Sequence, residues 1–274
     1  MFTKIKWVTL ASVLMLLTVA LSKAGVGQLV LYDNFASKHI DPSKWIAWQF
    51  FDPDLREAVR QLVGEEENRR LHLSQRVYSA TTDDSGASGG GFGLAFPDPN
   101  AITEISFTLA VNDAVAVGCA SNPSGQIVTG AEFRSRFFNT EVSPTSSTGD
   151  VEVVIAANRN ATDTSPALEV IGFYQRCDDE FCGARTNLDF HRLGFVQPNT
   201  SNTLHLKWEK QNHRLIFQLN SEPPVLSPYA VSDTSAPFVP FKTIDLARVV
   251  PHCTTTPRPF TSIDAFFSNV YVNP

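Results

Sequence analysis

Two carboxylates in Asp150-Val-Glu152 have a spacing that suits chemistry. In an extended chain every second side chain points the same way, so both acids face one side. Two carboxyls roughly 5–5.5 Å apart can act as nucleophile and acid/base on a glycosidic bond. The pair follows a turn rich in Ser, Thr and Gly, however, and charged residues are common at such solvated strand starts. A solvated strand start is therefore the preferred reading of Asp150 and Glu152, with catalysis as the rival. Glu132, Arg134 and Arg136 alternate in the same manner and offer one face with an acid and two cations. A lyase acting on uronic acids would want such a basic strand together with Gln, His and Tyr. Tyr174 is available, but no Gln-x-His strand accompanies it. His72, His191, His205 and His213 show no metal-pair spacing. Gly89-Gly-Gly-x-Gly93 lacks the Gly-Lys-Ser/Thr ending of a phosphate loop.

Aromatic residues supply a second kind of chemistry, because sugar rings stack on ring faces while their hydroxyls bond to acids, amides and Arg. The densest group is Trp45, Trp48 and Phe50-Phe51, and alternation puts Trp48 and Phe50 on one face with Ile46. Taken singly, each large aromatic reads first as core. Trp48, Phe50, Glu132, Arg134 and Arg136 form the candidate ligand-binding set.

The elements that must position these residues alternate with period two almost throughout. Residues 28–35, 69–78, 102–111, 131–138, 150–157, 167–177, 203–208, 214–220 and 263–272 read as strands. Leu71, Leu73, Ile105, Phe107 and Leu109 are expected in the core. Turn clusters separate the strands at 83–91, 97–100, 143–149 and 197–202. Residues 52–63 fit either a helix capped by Asp52 with Pro53 behind it or a strand over 57–63. The strand is favoured because it would pair with its successor. Many short strands without intervening helices indicate an antiparallel β-sandwich or barrel.

Lys4 and Lys6, the apolar run from Trp7 to Leu21 and the exit Ser22-Lys23-Ala24 have the layout of a secretory signal peptide. Residues 1–24 are expected to be removed, leaving residues 25–274 as one domain with no membrane span, secreted or periplasmic. The leader takes three of the 22 Lys and Arg with it, against 28 Asp and Glu, so the remainder is acidic. That balance argues against nucleic acid as a partner. Four cysteines in an exported chain read as two disulfides. Cys177 with Cys182 would staple a hairpin, and Cys119 with Cys253 would close a long loop. Asn160-Ala-Thr162 and Asn199-Thr-Ser201 match the glycosylation sequon.

Asp33-Asn-Phe35 followed by Ile40-Asp-Pro-Ser-Lys-Trp45, and the closing Phe267-Ser-Asn-Val-Tyr-Val272, resemble the two ends of concanavalin-A-like lectin/glucanase domains. The resemblance spans most of residues 25–274 and implies a jelly-roll of two antiparallel sheets, with the last strand beside the first and a concave face for glycan. It also implies a structural Ca²⁺ near those joined strands, with Asp33 and Asp264 as candidate ligands. Retaining glucanases of this superfamily carry Glu-x-Asp-x-(x)-Glu on one strand. In this chain the pattern stops after Asp150 and Glu152, with Val154 and Ile155 where a third acid would fall.

Fold alone does not give function. The expectation is a non-catalytic exported module that binds a glycan or mediates envelope or extracellular contacts. The alternative is a glycoside hydrolase or polysaccharide lyase with a diverged site. Two or more acids within reach of each other on the concave face, beside exposed aromatics, would favour the enzyme.

Overall fold

The computed structural model describes residues 28–50, 56–65, 68–78, 87–119, 127–250 and 259–273. The leader at 1–24 and Cys253 lie outside these residues. Among the described residues fifteen strands and two short 3-10 turns, Pro99–Ala101 and Lys210–Asn212, make up the regular structure, with no α-helix. The strands are β1 (Val30–Asp33), β2 (Trp45–Phe50), β3 (Arg56–Val63), β4 (Arg70–Tyr78), β5 (Ala87–Leu94), β6 (Glu104–Val117), β7 (Val128–Asn139) and β8 (Asp150–Asn160). The remainder are β9 (Leu168–Cys177), β10 (Arg185–Val196), β11 (Ser201–Glu209), β12 (Arg214–Leu219), β13 (Val225–Pro228), β14 (Lys242–Val249) and β15 (Phe260–Val272).

Two antiparallel sheets result. One runs β13-β12-β11-β6-β15-β4-β3, with β1 also paired to β15, and the other runs β10-β9-β8-β7-β14-β5-β2. First and last strands therefore meet, as the two ends of the sequence imply. The 52–63 ambiguity resolves as the strand β3, which pairs with β4 from Arg56↔Val77 to Val63↔Arg70.

Alternation builds the core between the sheets. Leu71, Leu73, Ile105, Phe107 and Leu109 are buried there as expected, facing Phe133, Val151, Val153 and Ile155 from the opposite sheet. On β7 the register slips between Arg136 and Phe138, so Phe137 and Phe138 both enter the core. Gln75 crosses the gap and donates its Nε2 to the Leu246 carbonyl at 3.2 Å, tying β4 to β14.

The opening motif has a clear physical job. Asp33 accepts from the Phe35 amide at 2.8 Å and from the Trp45 indole at 2.7 Å. Phe35 stacks on Trp45 at 5.3 Å, and both are buried. Phe35 takes φ +60°, a left-handed turn that brings its ring back onto the tryptophan.

Cys177 and Cys182 form the expected hairpin disulfide, with Cα atoms 4.6 Å apart. Cys119 is disulfide-bonded too, and no cysteine is free among the described residues. No helix among them is long and apolar enough to cross a membrane.

Candidate functional site

The outer face of the seven-stranded sheet gathers the charged residues that alternation turns away from the core. Three cross-strand rows define it. Asp245 of β14 lies directly opposite Glu132 of β7, which lies opposite Ala156 of β8. In the next row Thr243, Arg134, Val154 and Phe173 follow one another, and beyond it Arg136, Glu152 and Gln175 align.

Arg134 holds the centre. Its Nη2 reaches Asp245 Oδ2 at 3.0 Å, its Nε lies 3.5 Å from Glu132, and its Nη1 lies 3.9 Å from Glu152. Three carboxyls from three adjacent strands thus converge on one guanidinium. Burial alone would lower the affinity of Arg134 for its proton, but Asp245, Glu132 and Glu152 together raise it. Glu132 is the group that yields: burial, then the charge and hydrogen bond of Asp245 facing it, push its carboxyl well above the usual range. The pair keeps a proton because two carboxylates so close together resist carrying two charges.

Glu152 sits at the other end of the cluster. It accepts from Gln175 Nε2 at 2.9 Å, with Arg185 at 3.7 Å and Arg136 at 4.0 Å. Asp150 is a different case. Arg136 Nη1 at 3.1 Å, Asn139 Nδ2 at 2.7 Å and the Phe238 amide at 2.9 Å saturate it, and it is fully buried. Asp150 anchors the 229–241 segment to β8 rather than facing a ligand. The spacing argument for Asp150 and Glu152 as a mutual pair is corrected accordingly, since only Glu152 belongs to the cluster. Nor is either acid a solvated strand start, because both are buried.

Of the ligand-binding candidates, Glu132, Arg134 and Arg136 meet in this network. Trp48 takes the register position opposite Gly91, which pairs with Asp245, and Phe50 lies opposite Gly89. Their side chains are outside the described ones. Gly91 is required where it stands, since a Cβ there would lie 2.0 Å from the Ile244 carbonyl and 2.6 Å from Asp245 Cβ. Exposed aromatics border the face, with Phe190 directly opposite Phe173 and Phe195 opposite Glu169 on the edge strand β10.

The proposed calcium ligands do not share a site. Asp33 pairs in register with Val270, six residues along β15 from Asp264, on the order of 20 Å of strand. The Asp33 carboxylate is engaged by Phe35 and Trp45, while Asp264 contacts His72 and Asn112. Ca²⁺ takes six to eight oxygen ligands. These two residues do not fit it, and no group of three or more His, Cys, Asp or Glu among the described residues is placed to hold a metal.

Sequence reasoning missed Asp245, Gln175 and Arg185. Asp245 was findable as a polar residue alternating with Ile244 and Leu246. Its partnership with Arg134 spans 111 residues and depends on β14 lying beside β7.

No protein-family model matches the chain, and no curated protein does. Solved structures of similar shape include a Clostridium perfringens endo-β-galactosidase that releases GlcNAcα1-4Gal, at TM-score 0.47 and 11% identity over 90% of this chain. The chain spans 63% of that protein's length. A glycoside hydrolase family 16 endo-glucanase from Bacteroides ovatus matches at TM-score 0.47 and 11% identity, covering 87% of this chain and 97% of its own. A Bacillus licheniformis β-glucanase matches at TM-score 0.43 and 12% identity, covering 91% and 100%. The expectation of a non-catalytic module is corrected by the site itself: acids from three strands converge on Arg134, with exposed Phe190 and Phe195 bordering the same face, which favours the enzyme alternative. At these identities the likeness concerns architecture alone, and in architecture the chain is an antiparallel β-sandwich of two sheets.

Proposed function

We propose that the chain is an exported glycoside hydrolase whose site is the acid cluster on the outer face of the seven-stranded sheet. The observation that supports it is the Glu132–Asp245 pair, in which burial and a facing carboxyl keep a proton on Glu132. A carboxyl whose proton affinity is raised above the ordinary carboxylate range is suited to give its proton to the departing glycosidic oxygen. Glu152 is the second carboxyl, available as base or nucleophile, and Arg134 within 3.9 Å of it fixes the placement of all three. Phe190 and Phe195 offer stacking surfaces at the edge of the same face. A polysaccharide is the substrate class that paired acids flanked by exposed aromatic rings serve. Export rests on the Lys4–Ala24 leader and on the disulfides, which persist in oxidising compartments. Cleavage after Ala24 would leave residues 25–274 as one domain.

The test is digestion of a panel of β-glucans and β-galactans by the mature protein, with new reducing ends measured. Wild type is expected to release oligosaccharides. Glu132→Gln and Glu152→Gln are each expected to lower the rate by about 100-fold or more with an unchanged circular dichroism spectrum. Absence of products from every polysaccharide in the panel overturns the proposal.

A further inference from the structure

The opposite side of the molecule carries a groove that the acid cluster does not use. It has a volume of about 540 Å³ and opens on the outer face of the eight-stranded sheet, with Leu29, Glu104, Ser106, Thr203, His205 and Gln218 in its lining. That volume lies within the roughly 300–1,000 Å³ of small-molecule sites. Its floor is in strict register: Ser106 of β6 faces His205 of β11, which faces Gln218 of β12. The segment just before β1 supplies one wall through Leu29.

Glu104 organises this floor. His205 Nε2 lies 2.9 Å from one of its oxygens and Lys207 Nζ lies 3.2 Å from the other. Burial would raise the Glu104 carboxyl, but those two hydrogen bonds win and hold it below the ordinary value. A carboxylate facing Nε2 fixes the neutral imidazole as the Nε2–H tautomer, so Nδ1 is left as an acceptor. Gln218 gives its Nε2 to the Glu222 carbonyl at 2.8 Å, which leaves Oε1 to accept. The hydroxyls of Ser106 and Thr203 donate to no protein group among the described residues. Two hydroxyls, an imidazole nitrogen and an amide oxygen therefore converge with hydrogen-bonding capacity in hand.

This chemistry selects its ligand class. The one lysine beside the floor, Lys207, is already committed to Glu104, which disfavours phosphate or sulfate. Leu29 is the one apolar lining residue, too little for a lipid or an aromatic ligand. One carboxylate and one imidazole make no metal cage. A hydroxyl-rich, uncharged ring that can donate and accept along one edge and rest a C–H face on Leu29 matches what remains. We propose that the groove is a second carbohydrate site, one that binds a neutral saccharide without cleaving it. Cleavage is excluded by chemistry, because Glu104 has no second carboxyl across from it and carries no proton to give. Two glycan sites on opposite faces raise the effective concentration of one polymer at the other site.

Amide NMR of the mature protein, titrated with laminaritetraose and with cellotetraose, tests this. Saturable shifts at Ser106, Thr203 and His205 are expected with at least one of the two. Thr203→Trp, which fills the groove from an exposed strand position, should weaken those shifts about tenfold or more, and Ser106→Ala should weaken them less. Glu152→Gln should leave them unchanged, so a failed acid cluster and a failed groove give different spectra. Shifts confined to β7, β8 and β14, or no shifts with either probe, overturn the proposal.

Discussion

Single residues on this scaffold carry opposing electrostatic demands. Burial, and then the facing Asp245, raise the native proton affinity of Glu132 above that of the unfolded chain. A group with a raised native value stabilises fully below the unfolded carboxylate range, and that contribution is lost as pH rises through the native value. Glu132→Gln keeps the shape and a donor toward Asp245 while removing that dependence. The variant is expected to melt at or above wild type at pH 8 and no higher at pH 4, as calorimetry at the two pH values would show. Lys242 runs the other way. It is buried in the core, donates to the Arg136 carbonyl at 2.8 Å and lies 4.5 Å from the Phe137 ring centroid. Burial drops its ammonium from 10.5 to about 7, with Asp98 pulling weakly upward. Between those values the unfolded chain holds a proton that the native protein lacks, so stability should rise with pH from about 7 to 10.5. Lys242→Met should flatten that slope and stabilise the protein at pH 7 by a few kcal/mol, roughly, in urea titrations. The sequence showed that Glu132, Arg134 and Arg136 share a face. It could not show the proton on Glu132, because that proton depends on a residue from β14.

At the level of elements, close strand approach builds the site. Gly91 lets β5 press against β14 beside Asp245. Gly91→Ala would force β14 away, since its Cβ would sit 2.0 Å from a backbone oxygen. Loss of hydrolysis is expected with the β-rich far-ultraviolet spectrum retained; full activity in that variant would show that β14 does not position the acids. The Cys177–Cys182 staple closes a short loop at the β9–β10 hairpin, next to Gln175 and Arg185. Replacing both cysteines with Ala should cost about 2 kcal/mol in the chain-entropy picture, measured as a shift in denaturation midpoint. Strands with a clean inside–outside alternation, such as β4 and β6, were legible from sequence. β10 was not, because as an edge strand it is mostly exposed and partly exposed along its length, and register breaks interrupt its pairing. β14 was missed for the opposite reason: Lys242, Asp245 and Arg248 are all buried in it and blur the polar–apolar pattern.

Across the whole molecule, the two chain ends announced the architecture. Asp33, Phe35 and Trp45 lock the opening, and β1 lies on β15 as the resemblance implies. Function was less legible. The strand carrying Asp150 and Glu152 lacks a third acid, and reading one strand at a time therefore pointed to a module without catalysis. The acids come instead from three neighbouring strands, an arrangement visible only once β8, β7 and β14 lie side by side. The pH dependence of kcat/KM for polysaccharide hydrolysis tests this account most directly, because the general acid must be protonated in the free enzyme. The account predicts a rate that falls as pH rises past a midpoint well above the ordinary carboxylate range, matching the midpoint at which the Glu132 side-chain carboxyl titrates by carbon NMR. A rate that stays level or climbs through that midpoint, or a Glu132 carboxyl that ionises in the usual range, would contradict it.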